Sequence, residues 1–328
     1  MLLVGASSVD IVILTTTPHP PPQRPADTNE LRLSPGVRLG RAGVTVALLG
    51  PAYGFLLLFL LLPIVAMSVL TLVDFDPLTQ ATSFVGMANW YRLFGEHELW
   101  QATGNTLLYA LMTVPVEMVL GLLIALAIRA AGRGAVIWRT IYFAPVAATL
   151  AAMSVVWRWL FYPDAGLVDQ TLGWLVGQDG WLESTVFALP ALAIVGSWAG
   201  IGTCVVMFLA GLSNVPGHLD DAARIDRANA WQRFLSVIWP AIGPATTFAL
   251  VIAIRDSLRV YDQVKVLADG GPLGSTTTLS FLASQRGVLY LDIGGGAVVN
   301  AVLLALVLVT VAAQLLLSGQ RWEEGGRR

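Results

Sequence analysis

Residues 220–244 read Asp-Asp-Ala-Ala-Arg-Ile-Asp-Arg-Ala-Asn-Ala-Trp-Gln-Arg-Phe-Leu-Ser-Val-Ile-Trp-Pro-Ala-Ile-Gly-Pro. The stretch is polar and helical in character, yet long apolar runs flank it on both sides. Pro216 precedes a turn holding Asp220 and Asp221, acids that suit the positive end of a helix dipole. Ala222 and Ala223 follow with a low profile that another protein could approach closely. After Asp226 and Arg227 the pattern restarts, with Trp231, Phe234 and Ile238 three and four residues apart on one helical face. Pro240 and Pro244 close the segment. The spacing predicts two short helices, joined by a bend and lying on a membrane surface, within a loop over residues 213–240.

The flanks decide the class. The chain is 56% hydrophobic and 12% charged, against about 25% charged in soluble domains. Several apolar runs reach the roughly 18–20 residues that cross a bilayer core. Six spans are expected: Val44–Val69, Thr103–Ile128, Thr140–Phe161, Val186–Leu212, a short Ala241–Ile254, and Gly294–Leu317. The fold class is therefore all-α integral membrane, with a membrane domain over residues 42–318. Asp74–Trp100 and Tyr162–Thr185 read as loops, the first with the interfacial aromatics Trp90, Tyr91 and Trp100. Residues 1–41, with Pro18-His19-Pro20-Pro21-Pro22, read as a disordered tail or as the product of a start assigned too far upstream. Residues 319–328 form a charged tail.

Arginines set the orientation. With six spans both termini share one side with the 213–240 loop. That side collects Arg24, Arg32, Arg38, Arg41, Arg129, Arg133, Arg139, Arg224, Arg227, Arg233, Arg321, Arg327 and Arg328, thirteen of the nineteen basic residues. By the positive-inside rule that side is cytoplasmic. Residues Arg255–Asp292 hold four of the other six basic residues. Asp256, Asp262, Asp269 and Asp292 beside them suggest charge pairs in a folded external loop.

Several chemistries are excluded. A net charge of −2 offers no basic field for nucleic acid. One cysteine, Cys204, rules out an intrachain disulfide and a cysteine metal cluster. His19, His97 and His218 lack metal-ligand spacing, so no metal site is expected. A P-loop needs a lysine after a glycine-rich cradle. The one lysine, Lys265, follows Val264 without such a cradle, so the chain is not expected to bind or hydrolyse ATP. Gly294-Gly295-Gly296 enters an apolar run with no strand before it and reads as helix packing or flexibility.

The 220–244 stretch resembles the cytoplasmic coupling loop of ABC importer permeases, whose motif runs Glu-Ala-Ala-x-x-Asp-Gly-Ala before Phe and Leu-Pro. Asp221, Ala222, Ala223, Asp226, Ala228, Phe234 and Pro240 take matching positions, with Asp220 just before them. Asp221 replaces the glutamate, Trp239 the leucine and Arg227 the glycine. The likeness continues through Asn89-Trp90-Tyr91, Asn105-Thr106, Gly121–Leu126, Trp157–Phe161, Trp198, Phe208–Leu212, Arg259–Gln263 and Gly270-Gly271-Pro272 with Ser275-Thr276-Thr277. It covers about residues 44–318 and is similar to the carbohydrate-type subunits of maltose and glycerol-phosphate systems. The resemblance implies the six-helix type I importer permease fold in a bacterial cell membrane. It also implies a second, different permease, two ATP-binding cassette subunits carrying ATP and Mg, an extracytoplasmic solute-binding protein, and a sugar, oligosaccharide or glycerol-phosphate-type cargo. The alternative is a stand-alone secondary transporter or channel, whose usual mark is an inverted repeat; none is evident.

Charged and aromatic residues in or near the spans are the candidates for the solute path. Glu117 lies mid-span after Pro115, where a carboxyl is expensive; it either faces the path or is hydrogen-bonded between helices. Arg255, Asp256, Arg259 and Asp262 recur three or four residues apart, as ion pairs on one helix face or as solute contacts. Trp157 and Trp198 could stack on a sugar ring or sit at the interface.

Overall fold

The computed structural model describes residues 48–176 and 180–325. The tail expected over 1–41, the first residues of the first span and Asp179 lie outside them. The chain divides into two compact units, Met1–Leu61 and Leu62–Arg328. The described part of the first is the leading stretch of helix α1, Leu48–Leu70, whose large apolar side chains are exposed throughout.

The second unit contains the remaining elements. A hairpin of β1 (Val73–Asp76) and β2 (Ala81–Phe84), with Val73 opposite Phe84, and helix α2 (Ala88–Gly95) occupy what the sequence suggested was a plain loop. The hairpin is the one departure from an all-helical chain among the described residues. Asn89 fastens it, donating from Nδ2 to the carbonyls of Thr71 and Val73, each at 3.1 Å. Helix α3 (His97–Ala130) starts six residues before the expected span. Its 34 residues amount to about 51 Å, more than a bilayer core of roughly 30 Å.

The third expected span, Thr140–Phe161, is not one rod. Helices α4 (Ala135–Ala147) and α5 (Leu150–Leu160) meet at 97°. Pro145 lies in the last turn of α4, Ala148 is extended, and the Thr149 side chain accepts from the Ala152 N–H to start α5 afresh. A proline before a hydroxyl N-cap is a stop followed by a start. Residues after α5 form α6 (Leu167–Leu172), and α7 (Ala188–Ser213) follows as the fourth span.

The 213–240 loop folds as α8 (Gly217–Ile225) and α9 (Ala230–Ala241), and α9 meets α10 (Gly243–Leu258) at 71°. The fifth span is short, as its sequence implies: the 16 residues of α10 reach about 24 Å. A π-helical turn (Val264–Ala268), α11 (Leu279–Ser284) and α12 (Ile293–Gly325) complete the chain. Among the described residues four helices are long and apolar enough to cross a membrane, or six if each bent pair is counted as one span.

Three buried clusters hold this unit together. One joins α2, α3, α10, α11 and α12 through Leu93, Leu99, Leu258, Leu279, Leu282 and Val298. A second surrounds Tyr109, Phe161, Leu192 and Val264, and a third surrounds Val114, Cys204, Phe208 and Ile242. Asn105 and Thr106 bridge them to the 270–278 loop. Asn105 Nδ2 donates to the carbonyls of Gly274 (2.8 Å) and Thr277 (2.9 Å), and Thr106 Oγ1 accepts from the Leu279 N–H. Gly296 packs on Gly287, where a Cβ would come within 2.8 Å of the Gly287 Cα; the glycine run is helix packing.

Charge pairs fasten the loop before α12. Arg286 reaches Glu96 and Glu98, lies 3.6 Å from Asp292, and Arg92 grips both Asp292 oxygens at 2.8 and 3.0 Å. Burial pushes the Asp292 carboxyl up, but the Arg92 hydrogen bonds, the Gly295 N–H and both arginine charges leave it below the usual carboxylate range. Its stabilisation is thus complete above that range and lost as pH falls through the lowered value.

Helices α3 and α7 run the same way and touch at small residues. A Cβ on Gly121 would sit 2.6 Å from the Cys204 Cβ. Gly121→Ala should lower stability by about 1–3 kcal/mol through overpacking. Adding Cys204→Gly should recover part of that loss. Thermal unfolding of the four members of this double-mutant cycle checks the contact, and simple additivity would contradict it.

Candidate functional site

Midway along α3, Tyr109, Thr113 and Glu117 recur every fourth residue and so share a face. Helix α7 answers with Gly196 and Gly200. A Cβ at Gly196 would collide with the Tyr109 hydroxyl, and one at Gly200 with the Glu117 carboxylate. Glycine at these two positions makes room for the polar groups. Tyr109 donates to Gln263 Oε1, and the Thr113 and Ser257 hydroxyls meet at 2.9 Å.

Glu117 has no such partner. It is 6% exposed, and among the described residues its carboxylate makes no hydrogen bond or ion pair. It opens instead onto a cavity of about 510 Å³ between α3, α7, the α4–α5 break and the end of α10. Arg255, Asp256, Arg259 and Asp262 line the same cavity. Glu117 is thus not hydrogen-bonded between helices among the described residues; it faces a cavity.

The four-residue charge ladder needs correction. Helix α10 ends at Leu258, so Arg259 and Asp262 lie beyond it and do not continue its face. Arg255 pairs with its neighbour Asp256 at 2.7 Å, whereas Arg259 and Asp262 have no ion pair among the described residues. Trp157 and Trp198 are also placed differently. Their rings meet edge to face with centroids 5.7 Å apart, Trp157 stacks on Phe161, and neither lines the cavity. Tyr109 and Gln263 are wall residues that sequence reasoning left out of the path. A signal was present in the four-residue stripes of α3 and α7.

The second surface is α8 with α9. Arg227 stands at the bend with φ +57°, and the Ala228 N–H bonds to the Ala223 carbonyl at 3.0 Å. This is the left-handed helix stop in which glycine is preferred, which accounts for the glycine of the motif. Asn229 then starts α9 with a reciprocal capping box to Gln232. Trp231 stacks on Phe234, and Phe234 meets Trp239 at a tilt of 46°. The π-helical turn Phe234–Ile238 precedes Pro240, which lacks an N–H and crowds the carbonyl four residues back. Ile225 and Trp231 are 81% and 66% exposed. Asp226 and Ala222 are exposed and Ala223 and Ala228 half-buried, while Asp220 and Asp221 lie on the backbone of α8.

Residues 95–321 match the model of the binding-protein-dependent transport system inner membrane component, more than half of the chain. The chain belongs to this family. Both surfaces fall inside the matched region. The permease is 32% identical over 262 residues to the trehalose/maltose transport system permease protein MalF of Thermococcus litoralis, covering 79% of this chain and 88% of that one. It is 32% identical over 283 residues to the sulfoquinovosyl glycerol transport system permease protein SmoG of Agrobacterium fabrum, covering 84% and 91%. Its fold is that of a chain in the crystal structure of a bacterial ABC transporter involved in the import of alginate. The TM-score there is 0.74 at 20% identity, over 87% of this permease and 98% of that chain.

The left-handed bend gives a direct test. A non-glycine residue there costs about 1 kcal/mol. Arg227→Gly should therefore raise the unfolding midpoint of the permease, while Arg227→Val should lower it. A lower midpoint for the glycine variant would mean that Arg227 makes a contact worth more than the strain.

Proposed function

We propose that the permease forms half of the translocation path of an ATP-driven importer for a sugar, oligosaccharide or glycerol-phosphate-type solute. One observation carries the reading: an unpartnered carboxyl, Glu117, midway along the apolar helix α3 and facing a cavity that Arg255, Asp256, Arg259 and Asp262 also line. Buried charge of this kind is expensive and fits a cavity that exchanges its water for solute. The solutes named for the relatives, trehalose or maltose and sulfoquinovosyl glycerol, support the class of cargo.

The partners follow from the family. A second, different permease closes the path, two ATPase subunits bind ATP and Mg, and a solute-binding protein delivers cargo from outside. The exposed apolar residues of α8 and α9, on an otherwise polar segment, suit docking into an ATPase cleft. ATP binding draws the docked helices of the two permeases together. The motion passes along α9, through the 71° bend at Ile242, into α10. Since the far end of α10 carries Arg255 and Asp256 to the cavity wall, closing the ATPases reshapes the cavity. Solute enters the outward state and leaves when hydrolysis resets the pair, with ATP favouring one of two states.

The orientation follows from the arginine count, with both termini and α8–α9 cytoplasmic. A cysteine at Glu183 should react with an impermeant reagent added outside whole cells, and one at Asn229 should not. Reaction at Asn229 alone would reverse the assignment.

Uncoupling is the functional test. Asp221→Lys reverses one charge past the first turn of α8, where the dipole effect has fallen below about 1 kcal/mol, too little to unfold the chain, and Ala223→Pro breaks α8. Both variants should reach the membrane in normal amounts, yet lose uptake and solute-stimulated ATP hydrolysis in the reconstituted complex. Full uptake by both would sink the docking assignment, and a rival secondary transporter would show it.

A further inference from the structure

The apolar run of α12, Ile293–Leu316, carries two amide side chains, Asn300 and Gln314. Gln314 turns into the bundle and donates from Nε2 to the Thr247 carbonyl of α10 at 3.0 Å. Asn300 does the opposite: it is exposed, and among the described residues it makes no hydrogen bond. It is the eighth residue of the run, about 10 Å along the helix. At that depth no water meets an amide, and polar side chains face protein rather than lipid. Two adjoining cavities, of about 490 and 290 Å³, share Asn300, Met67 and Ala297 and form a groove between the last turns of α1, helix α11 and the first half of α12. Ser280 lines it and, like Asn300, makes no hydrogen bond among the described residues. Ala283, Gly287, Gly296 and Ala301 keep its floor low, and no Asp, Glu, Lys or Arg is among its lining residues. Tyr261 lines this groove and the Glu117 cavity alike. The groove therefore runs on from the wall that the second permease is proposed to close.

We infer that this groove seats a transmembrane helix of the second permease, and that Asn300 hydrogen-bonds to it. The inference rests on the proposed function and deepens it, giving the partner a place on this chain. A groove without ionisable groups calls for an uncharged helix, and its small floor residues let that helix's backbone come close. The free amide of Asn300 and hydroxyl of Ser280 call for a hydroxyl or amide facing them. Small residues and polar pairs of this kind hold helices together in lipid, where the hydrophobic effect between them is absent. A lipid tail would fill the groove yet leave both groups unbonded. The ATPase subunits and the solute-binding protein lie outside the bilayer and do not reach this depth.

Photo-cross-linking in the assembled complex tests the assignment. A benzophenone amino acid replaces Asn300 in the full chain, expressed in the membrane with its second permease, and replaces Val309 in a separate variant. Val309 is 65% exposed and lies nine residues on, on the opposite face of α12. Light should join position 300 to the second permease and leave position 309 without a protein adduct. The same replacement at Ser280 serves if the Asn300 variant does not assemble. An adduct with lipid alone, within this chain, with another copy of it, or equally at 300 and 309 would overturn the inference. Asn300→Leu gives a second readout. It should insert in normal amounts, since it removes a polar group from an apolar run, yet hold the second permease about fivefold more weakly in detergent, as for one lost interhelical hydrogen bond. An unchanged affinity would also overturn the inference. Recovery of the second permease with the tagged wild-type chain keeps the two readings apart. With none recovered, the heterodimer itself fails; with recovery but no adduct at 300 or 280, the groove assignment fails alone.

Discussion

The close approach of α3 and α7 is the constraint on which the rest of the structure depends. Two spans can place a carboxyl at mid-depth only if the facing helix gives way, and Gly200 does so opposite Glu117. The same seam seats the Tyr109 hydroxyl at Gly196 and packs Cys204 on Gly121. Without a hydrophobic driving force between helices in lipid, small residues and satisfied polar pairs hold spans together. Here Tyr109 with Gln263 and Thr113 with Ser257 do that in the two turns of α3 before Glu117. Packing and chemistry are thus two results of one arrangement of side chains.

The break between α4 and α5 and the bend between α9 and α10 belong to the same design. Irregular backbone at membrane depth is tolerated where it lines a cavity, and Pro145, Ala148 and Leu150 around the first break all do so. The second bend lies outside the cavity but leads into its wall. Rigid attachment at the other end comes from Arg286 and Arg92 with Glu96, Glu98 and Asp292. The cluster ties the region before α3 to the start of α12. A movable wall set against a fastened end is what alternating access needs.

Much of this was legible in the sequence, and the limits have physical causes. The six apolar stretches gave the class, and the bend at Arg227 followed from the glycine that the motif places there. Runs of hydrophobicity do not register a right-angle break, so Thr140–Phe161 read as one span although Pro145 and Thr149 are a stop and a start. Asp74–Trp100 read as loop because its strands are only four residues each and their outward faces are exposed. Glu117 could be singled out, but whether it met a partner depended on three other helices. Trp157 and Trp198 show the converse. Their residue type suits a sugar ring, and only packing reveals that they face each other.

The central claim is that this cavity, with Glu117 on its wall, is the chain's share of the solute path. A structure of the assembled transporter with solute trapped by an ATPase-inactive partner tests it most directly. The account predicts solute density within hydrogen-bond distance of the Glu117 carboxylate, with α8 seated in the ATPase cleft. Solute enclosed by the partner permease alone, with the Glu117 cavity closed or filled by a neighbouring side chain, would contradict it.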